Sequence, residues 1–221
     1  MGNNELGGLL RGIIVDNNDP EKLGRVKVRV EAAYGEQPAQ DLPWAWPCFP
    51  YGGAKDQGLF TVPEVGAGAY VMFQCKDGQP DATYPVWLGQ WQSQSETPSQ
   101  VEGSPEDAHC YKTLKTTSGH NLTFCDKEGG EFLKLEDKNG SYLLNKDGDV
   151  EVHAERDMKI TAKSSSGYSM TFSESEGLVK LQDQQGSYIL MKDGNIEIYA
   201  KQDITIKAEK VIYLKAERIE Q

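Results

Sequence analysis

Asn195-Ile-Glu-Ile-Tyr-Ala-Lys-Gln202, Asp203-Ile-Thr-Ile-Lys-Ala-Glu-Lys210 and Val211-Ile-Tyr-Leu-Lys-Ala-Glu-Arg218 are three consecutive octads. Their apolar residues fall into columns: Ile196/Ile204/Ile212, Ile198/Ile206/Leu214 and Ala200/Ala208/Ala216. Alternation inside each octad is the period-2 signature of a strand with one covered face. Repetition at a fixed short period adds one identical rung at a time to a stack. The same columns run earlier as Val150/Met158, Val152/Ile160 and Ala154/Ala162. The sequence thus predicts a rod whose core is built from Val150, Val152, Ala154, Met158, Ile160, Ala162, Ile196, Ile198, Ala200, Ile204, Ile206, Ala208, Ile212, Leu214 and Ala216.

A larger duplication contains these octads. Ser118-Gly-His-Asn-Leu-Thr-Phe124 matches Ser166-Gly-Tyr-Ser-Met-Thr-Phe172 at a spacing of 48, and Gly140-Ser-Tyr-Leu-Leu144 matches Gly186-Ser-Tyr-Ile-Leu190 at 46. The second copy therefore lacks two residues near Gly177. Gly140, Gly148, Gly186 and Gly194 fit corners between rungs. The covered parity is expected to change between Leu135 and Tyr142 and between Leu181 and Tyr188. Asn139-Gly140 and Asp147-Gly148 also suit hairpin turns, but a meander does not require a constant octad, so stacked rungs are the favoured reading.

One ribbon of such strands, each roughly 17–20 Å long with its corner, leaves an apolar face and its edges in water. Association covers them, and three ribbons close a triangular prism. A homotrimer is expected.

The first part of the chain reads differently. Strands are expected at Leu10–Val15, Gly24–Val30 (with Val26, Val28 and Val30 inward), Trp44–Phe49, Leu59–Val62, Ala69–Cys75 and Val86–Trp91. About five strands with Gly/Pro turns fit a small closed barrel of OB type. The expected organisation is all-β: an OB-fold barrel over 1–91, a Gln/Ser/Glu/Pro-rich linker over 92–107, and an intertwined trimeric β-helix over 108–221.

A net charge of −11 argues against nucleic acid, whose phosphates require clustered cations. The alternating Arg25, Lys27 and Arg29 are expected to form a solvated strand face. Cys48, Cys75, Cys110 and Cys125 form no Cys-x-x-Cys pair and are expected to be reduced and packed, without a zinc site. The first residues carry neither a basic start nor a sustained apolar run, so no signal peptide is expected and synthesis is assigned to the cytoplasm. His109, His120 and His153 are isolated. Asn145–Asp149 lacks the acidic end of a calcium loop, and no carboxylate pair stands out for glycoside cleavage. No catalytic residue, cofactor or metal is assigned. Trp44, Trp46, Phe49 and Tyr51 could stack bases or sugars as an OB-fold binding module on a solenoid stalk, the competing functional class.

Asp19-Pro-Glu-Lys-Leu-Gly-Arg-Val-Lys-Val28, Pro63-Glu-Val-Gly66 followed by Tyr70–Phe73, Pro85-Val-Trp-Leu-Gly89, and Lys115–Leu122 leading to Phe124 resemble, in that order, the contractile-tail spike proteins. These are the baseplate assembly protein V group of phages and the valine–glycine repeat spikes of type VI secretion. The resemblance implies a membrane-piercing central spike in a virion tail baseplate or injection particle. It also implies a separate hub protein at the barrel, a small PAAR-type tip at the blunt C-terminal end and passing contact with the target envelope. The connector 92–107 is too short for the muramidase domain that some such spikes carry, and no His-x-His motif for an iron-binding apex is present.

Overall fold

A computed structural model describes residues 6–101, 103–162, 167–213 and 215–216. Leu214 and the segments 1–5 and 217–221 therefore lie outside the described residues. The chain forms two compact units, Met1–Thr97 and Pro98–Gln221, which divide within the polar stretch 92–107.

The first unit is a closed barrel of β1 (Leu10–Asp16), β2 (Val26–Arg29), β3 (Trp44–Pro47), β4 (Gly68–Lys76) and β5 (Gln79–Trp91). Strand order is β1-β2-β3-β5-β4, with every pair antiparallel except β3–β5. This is the OB arrangement. Val26, Val28 and Val30 face the interior together with Ile14, Ala45, Ala69, Val71, Phe73 and Trp87. A one-turn helix α1 (Glu31–Tyr34) follows β2 and aims the Tyr34 hydroxyl at the Ala82 carbonyl, 2.7 Å away.

Two expectations fail here. Leu59–Val62 forms no strand. It belongs to a glycine-rich loop in which the Leu59 N–H donates to the Tyr51 carbonyl and Phe60 packs on Phe49 at 5.6 Å. Arg25 and Lys27 are not solvated either, since both are buried. The loop before β2 supplies Asp19 to Arg25. The turn at Ala39–Asp41 offers the Ala39 and Gln40 carbonyls to Lys27 Nζ at 3.2 and 2.8 Å. A long cationic side chain can be buried when its charged end meets carbonyl or carboxylate oxygens.

The second unit holds two five-stranded antiparallel meanders. The first comprises β6 (Tyr111–Lys115), β7 (Asn121–Cys125), β8 (Phe132–Glu136), β9 (Tyr142–Lys146) and β10 (Asp149–His153). The second comprises β11 (Met158–Ala162), β12 (Tyr168–Ser173), β13 (Leu178–Gln182), β14 (Tyr188–Lys192) and β15 (Asn195–Tyr199). Each strand pairs with the next in sequence, so over 111–199 the meander set aside above is the arrangement within the chain. The two-residue turns decide this. Asp147 and Gly148 have φ of 53° and 86°, and Asp193 and Gly194 have 49° and 78°. Two successive left-handed residues make the tight hairpin whose twist matches its strands, and Asp-Gly is suited to it.

Register corrects the expected parity as well. Leu135 pairs with Leu143 and Leu181 with Ile189, so odd-numbered residues keep the apolar face through β9 and β14. The switch to even numbers falls at Asp147-Gly148 and Asp193-Gly194. Val150 and Met158, one column in the octad reading, lie on the edge strands of different sheets. The two-residue deletion does lie between β12 and β13, where residues 174–177 replace the 126–131 connection. Beyond β15, Ile204, Ile206 and Ile212 keep the alternation but join no strand of the chain and stay exposed.

Candidate functional site: two apolar sheet faces and a barrel clasp

Antiparallel neighbours share a face, so the registers order the side chains into rows. In the first sheet, Leu114, Leu122, Leu135, Leu143 and Val152 cross all five strands, and beside them run Lys112, Phe124, Leu133, Asn145 and Val150. In the second sheet the rows are Ile160-Met170-Leu181-Ile189-Ile198 and Met158-Phe172-Val179-Met191-Ile196. Most of these side chains are exposed in the single chain, Val150 at 67% and Ile196 at 68%. On the second sheet they line a groove of about 570 Å³ that includes Ile160, Leu181, Ile198 and Ile204. Contiguous exposed apolar surface of this kind marks an interaction face.

Of the residues assigned from sequence, Val150, Val152, Met158, Ile160, Ile196 and Ile198 fall in these rows. Ala154 and Ala200 follow the last strands of their sheets and Ala162 ends β11, while Ile204, Ile206, Ala208, Ile212 and Ala216 lie beyond β15. The columns missed Leu122, Leu135, Met170, Leu181 and Ile189, among others. Their signal was the 46–48-residue duplication, which aligns them pairwise.

The opposite faces are polar and equally duplicated. Lys134 Nζ lies 4.6 Å from the Tyr142 ring centroid and Lys180 Nζ 4.8 Å from that of Tyr188. The Tyr142 hydroxyl donates to Glu151 at 2.5 Å, and the Tyr188 hydroxyl to Glu197 at 2.7 Å. His153 stacks on Tyr142 and Tyr199 on Tyr188. These hydrogen bonds to carboxylates, with burial and the charge of Glu151 or Glu197 adding to them, push both phenols above their ordinary value. Asp137 and Asp183 each accept two backbone N–H groups of the turn that follows. The polar faces are thus tied down internally, whereas the apolar faces stay largely exposed.

On the barrel, Asp19 forms the second feature. Its carboxylate accepts the Glu21, Leu23 and Arg25 N–H groups and the Arg25 side chain, with Arg25 Nη2 at 2.6 Å. The Arg25 guanidinium holds the carboxyl well below the usual range; burial opposes the shift, and the three backbone N–H donors reinforce it. Arg25 in turn lies over the Trp44 and Trp46 rings at 5.8 and 5.3 Å, and Lys27 over Trp44 at 5.1 Å. The chain's own cations therefore occupy the ring faces that a stacking ligand would need, while Phe49 packs inward edge-on to Trp87 at 5.5 Å. Asp19-Pro-x-x-x-Gly-Arg is, physically, the clasp that seats the start of β2. Gly24 carries φ of 78°, and a Cβ there would come within 2.9 Å of Phe49.

Residues 10–91 match the family described as the Type VI secretion system/phage-baseplate injector OB domain. This domain belongs to the phage-baseplate V family. The match covers the barrel alone and suggests a spike-type component of a baseplate or injection system, in association with other baseplate proteins. No curated protein matches the chain. The injector domain accounts for the first unit and leaves the two sheets outside the matched residues. The family is structural. Among the described residues no cluster of His, Cys, Asp and Glu is placed to hold a metal ion, and no helix is long and apolar enough to cross a membrane. His120 accepts the Lys138 N–H, His153 meets Glu155, and Asn145–Asp149 is hairpin. The cysteines are free, but Cys48 and Cys75 are exposed and only Cys125 is buried, which corrects the expectation that all four pack.

Proposed function

We propose that this chain is the central, membrane-piercing spike of a contractile injection machine and works mechanically, without catalysis, as a homotrimer. The observation that carries this reading is the apolar face of each sheet, with one full apolar row across five strands and a second row interrupted only at Lys112 and Asn145, most of it exposed in a single chain. A strand of five residues spans roughly 17 Å, and a triangular prism with that edge has its axis about 5 Å from each face, half the ~10 Å spacing of packed sheets. A fourfold arrangement would leave each face about 8 Å from the axis, too far for these side chains to meet at protein density. A face-to-face pair would cover the middle of each row but leave both lateral openings wet.

The terminal octads support the same reading. They continue the alternation beyond β15 with no ladder among the described residues, and a second copy offers strands of matching length and pattern. The described residues assigned above, from Val150 to Ala216, would then face the axis. In the machine, the barrel would sit beneath a separate hub protein, a small PAAR-type tip would cap the far end, and the target envelope would be met only during passage. The needle would run from about residue 108, after the connector over 92–107. Charged outward side chains such as Lys201, Lys207 and Glu209 keep such a shaft from adhering.

Mass photometry tests the oligomer. Three chains of 24.5 kDa should appear at about 73 kDa and persist on dilution. A monomer at micromolar concentration refutes the reading.

A further inference from the structure

The axial rows of the two sheets are equivalent position by position, with two exceptions. Every inward strand position is apolar except Lys112 on β6 and Asn145 on β9, whose counterparts 46 residues later are Met158 and Met191. Lys112 lies on the edge strand of the first sheet and is paired with Asp126. Asn145 stands between Leu133 and Val150, on the same strand and face as Leu143, and within the chain it is exposed. A polar amide in an otherwise apolar row costs stability when covered, unless it meets another polar group at the same level.

We infer that Asn145 forms a single polar layer on the axis of the assembly, three amides from three copies, which fixes chain number and axial register. This rests on the homotrimer proposed above. An amide carries both donors and an acceptor, so symmetry-related copies can hydrogen-bond to one another in a ring. Apolar rows alone do not determine register. The second sheet repeats the first, and the octads repeat again, so a chain displaced by one rung or by a whole module still buries Leu, Ile, Val and Met against their like. A displaced chain would, however, place Asn145 against Leu or Met with its amide unpaired. The penalty thus falls on wrong alignments alone, as with a lone buried Asn in a coiled-coil seam. Two further copies of this chain occupy that level, because a copy in register brings its own Asn145 to it.

The test replaces Asn145 with the residue of the second copy. Wild type, Asn145→Met and, as a same-strand control on the opposite face, Leu144→Met are denatured, refolded by dilution and examined by native mass spectrometry. Melting of the assembled fraction is also recorded. Wild type and Leu144→Met should return one trimeric species. Asn145→Met should melt higher yet give at least about a threefold lower yield of uniform trimer, with other stoichiometries or staggered aggregates making up the rest. If Asn145→Met refolds to the same trimer in the same yield, the register role is overturned while the trimer stands. If wild type itself is not a trimer, the functional reading beneath it falls first.

Discussion

Ile196→Thr separates a face that is covered in the assembly from one that is simply wet. Threonine keeps the β-branch and hence the strand preference, so β15 should still form. In the single chain Ile196 is 68% exposed, and the substitution should scarcely change the stability of the sheet itself. Complete burial of an isoleucine side chain contributes about 1.5–3 kcal/mol, so covering the remaining two-thirds contributes about 1–2 kcal/mol per chain and about 3–6 kcal/mol per trimer. Threonine retains part of that area but must bury a hydroxyl, which offsets it. The expected result is a trimer dissociation constant raised by about two to four orders of magnitude. Lys159→Thr, on the other face of β11 where the backbone pairs with Thr171, is the control and should leave association unchanged. Sedimentation velocity over a dilution series reads both. Equal dissociation of the two variants, or an Ile196→Thr protein that associates like wild type, would refute the assignment of the axial face.

Other outcomes follow from the same structure. Ile206→Asp sets three carboxylates at one level of the axis and should abolish or strongly weaken the trimer in the same sedimentation assay, whereas Lys207→Asp, one residue on, should be nearly silent. The Asp19 carboxyl is held below its ordinary 3.8 in the folded barrel, so its stabilising effect is fully present above about pH 4 and is lost as pH falls toward the lowered folded value. Thermal melts of residues 1–97 should therefore show an acid limb that Asp19→Asn flattens. The fragments test independence of the two units: residues 108–221 should trimerise and stay β-rich by circular dichroism on heating, while residues 1–97 should fold but associate weakly. An unfolded 108–221 fragment would mean that assembly is led by the barrel.

Much of the barrel could be read from the sequence because its signals are local. Alternation at Val26, Val28 and Val30 and the turn residues around them decide β2 without reference to anything distant. Burial of Arg25 and Lys27 could not be read that way, because it depends on Asp19 and on carbonyls at 39 and 40 folding over the strand. In the second unit, period and duplication were legible, but pairing was not. A five-residue strand with a corner gives a spacing of eight, and a five-residue strand with a two-residue hairpin turn gives seven, too close for the sequence to separate. Only the left-handed Asp147-Gly148 and Asp193-Gly194 pairs distinguish the two. Leu143 was placed on the wrong face for the same reason: the connection at Asp137–Ser141 preserves parity, which its length does not reveal. Asn145 stands out only when register places it between Leu133 and Val150 and the duplication aligns it with Met191.

The duplicated five-strand sheet has a consequence for how such a shaft changes length. Adjacent strands lie about 4.8 Å apart, so one 46-residue copy contributes roughly 24 Å of ladder. Because the clips at Asp137 and Asp183 and the Tyr142–Glu151 and Tyr188–Glu197 hydrogen bonds recur in each copy, a further copy inserted between β10 and β11 would carry its own internal ties. In the proposed spike, reach would then change in steps of whole modules by gene duplication, without any change to the barrel sequence.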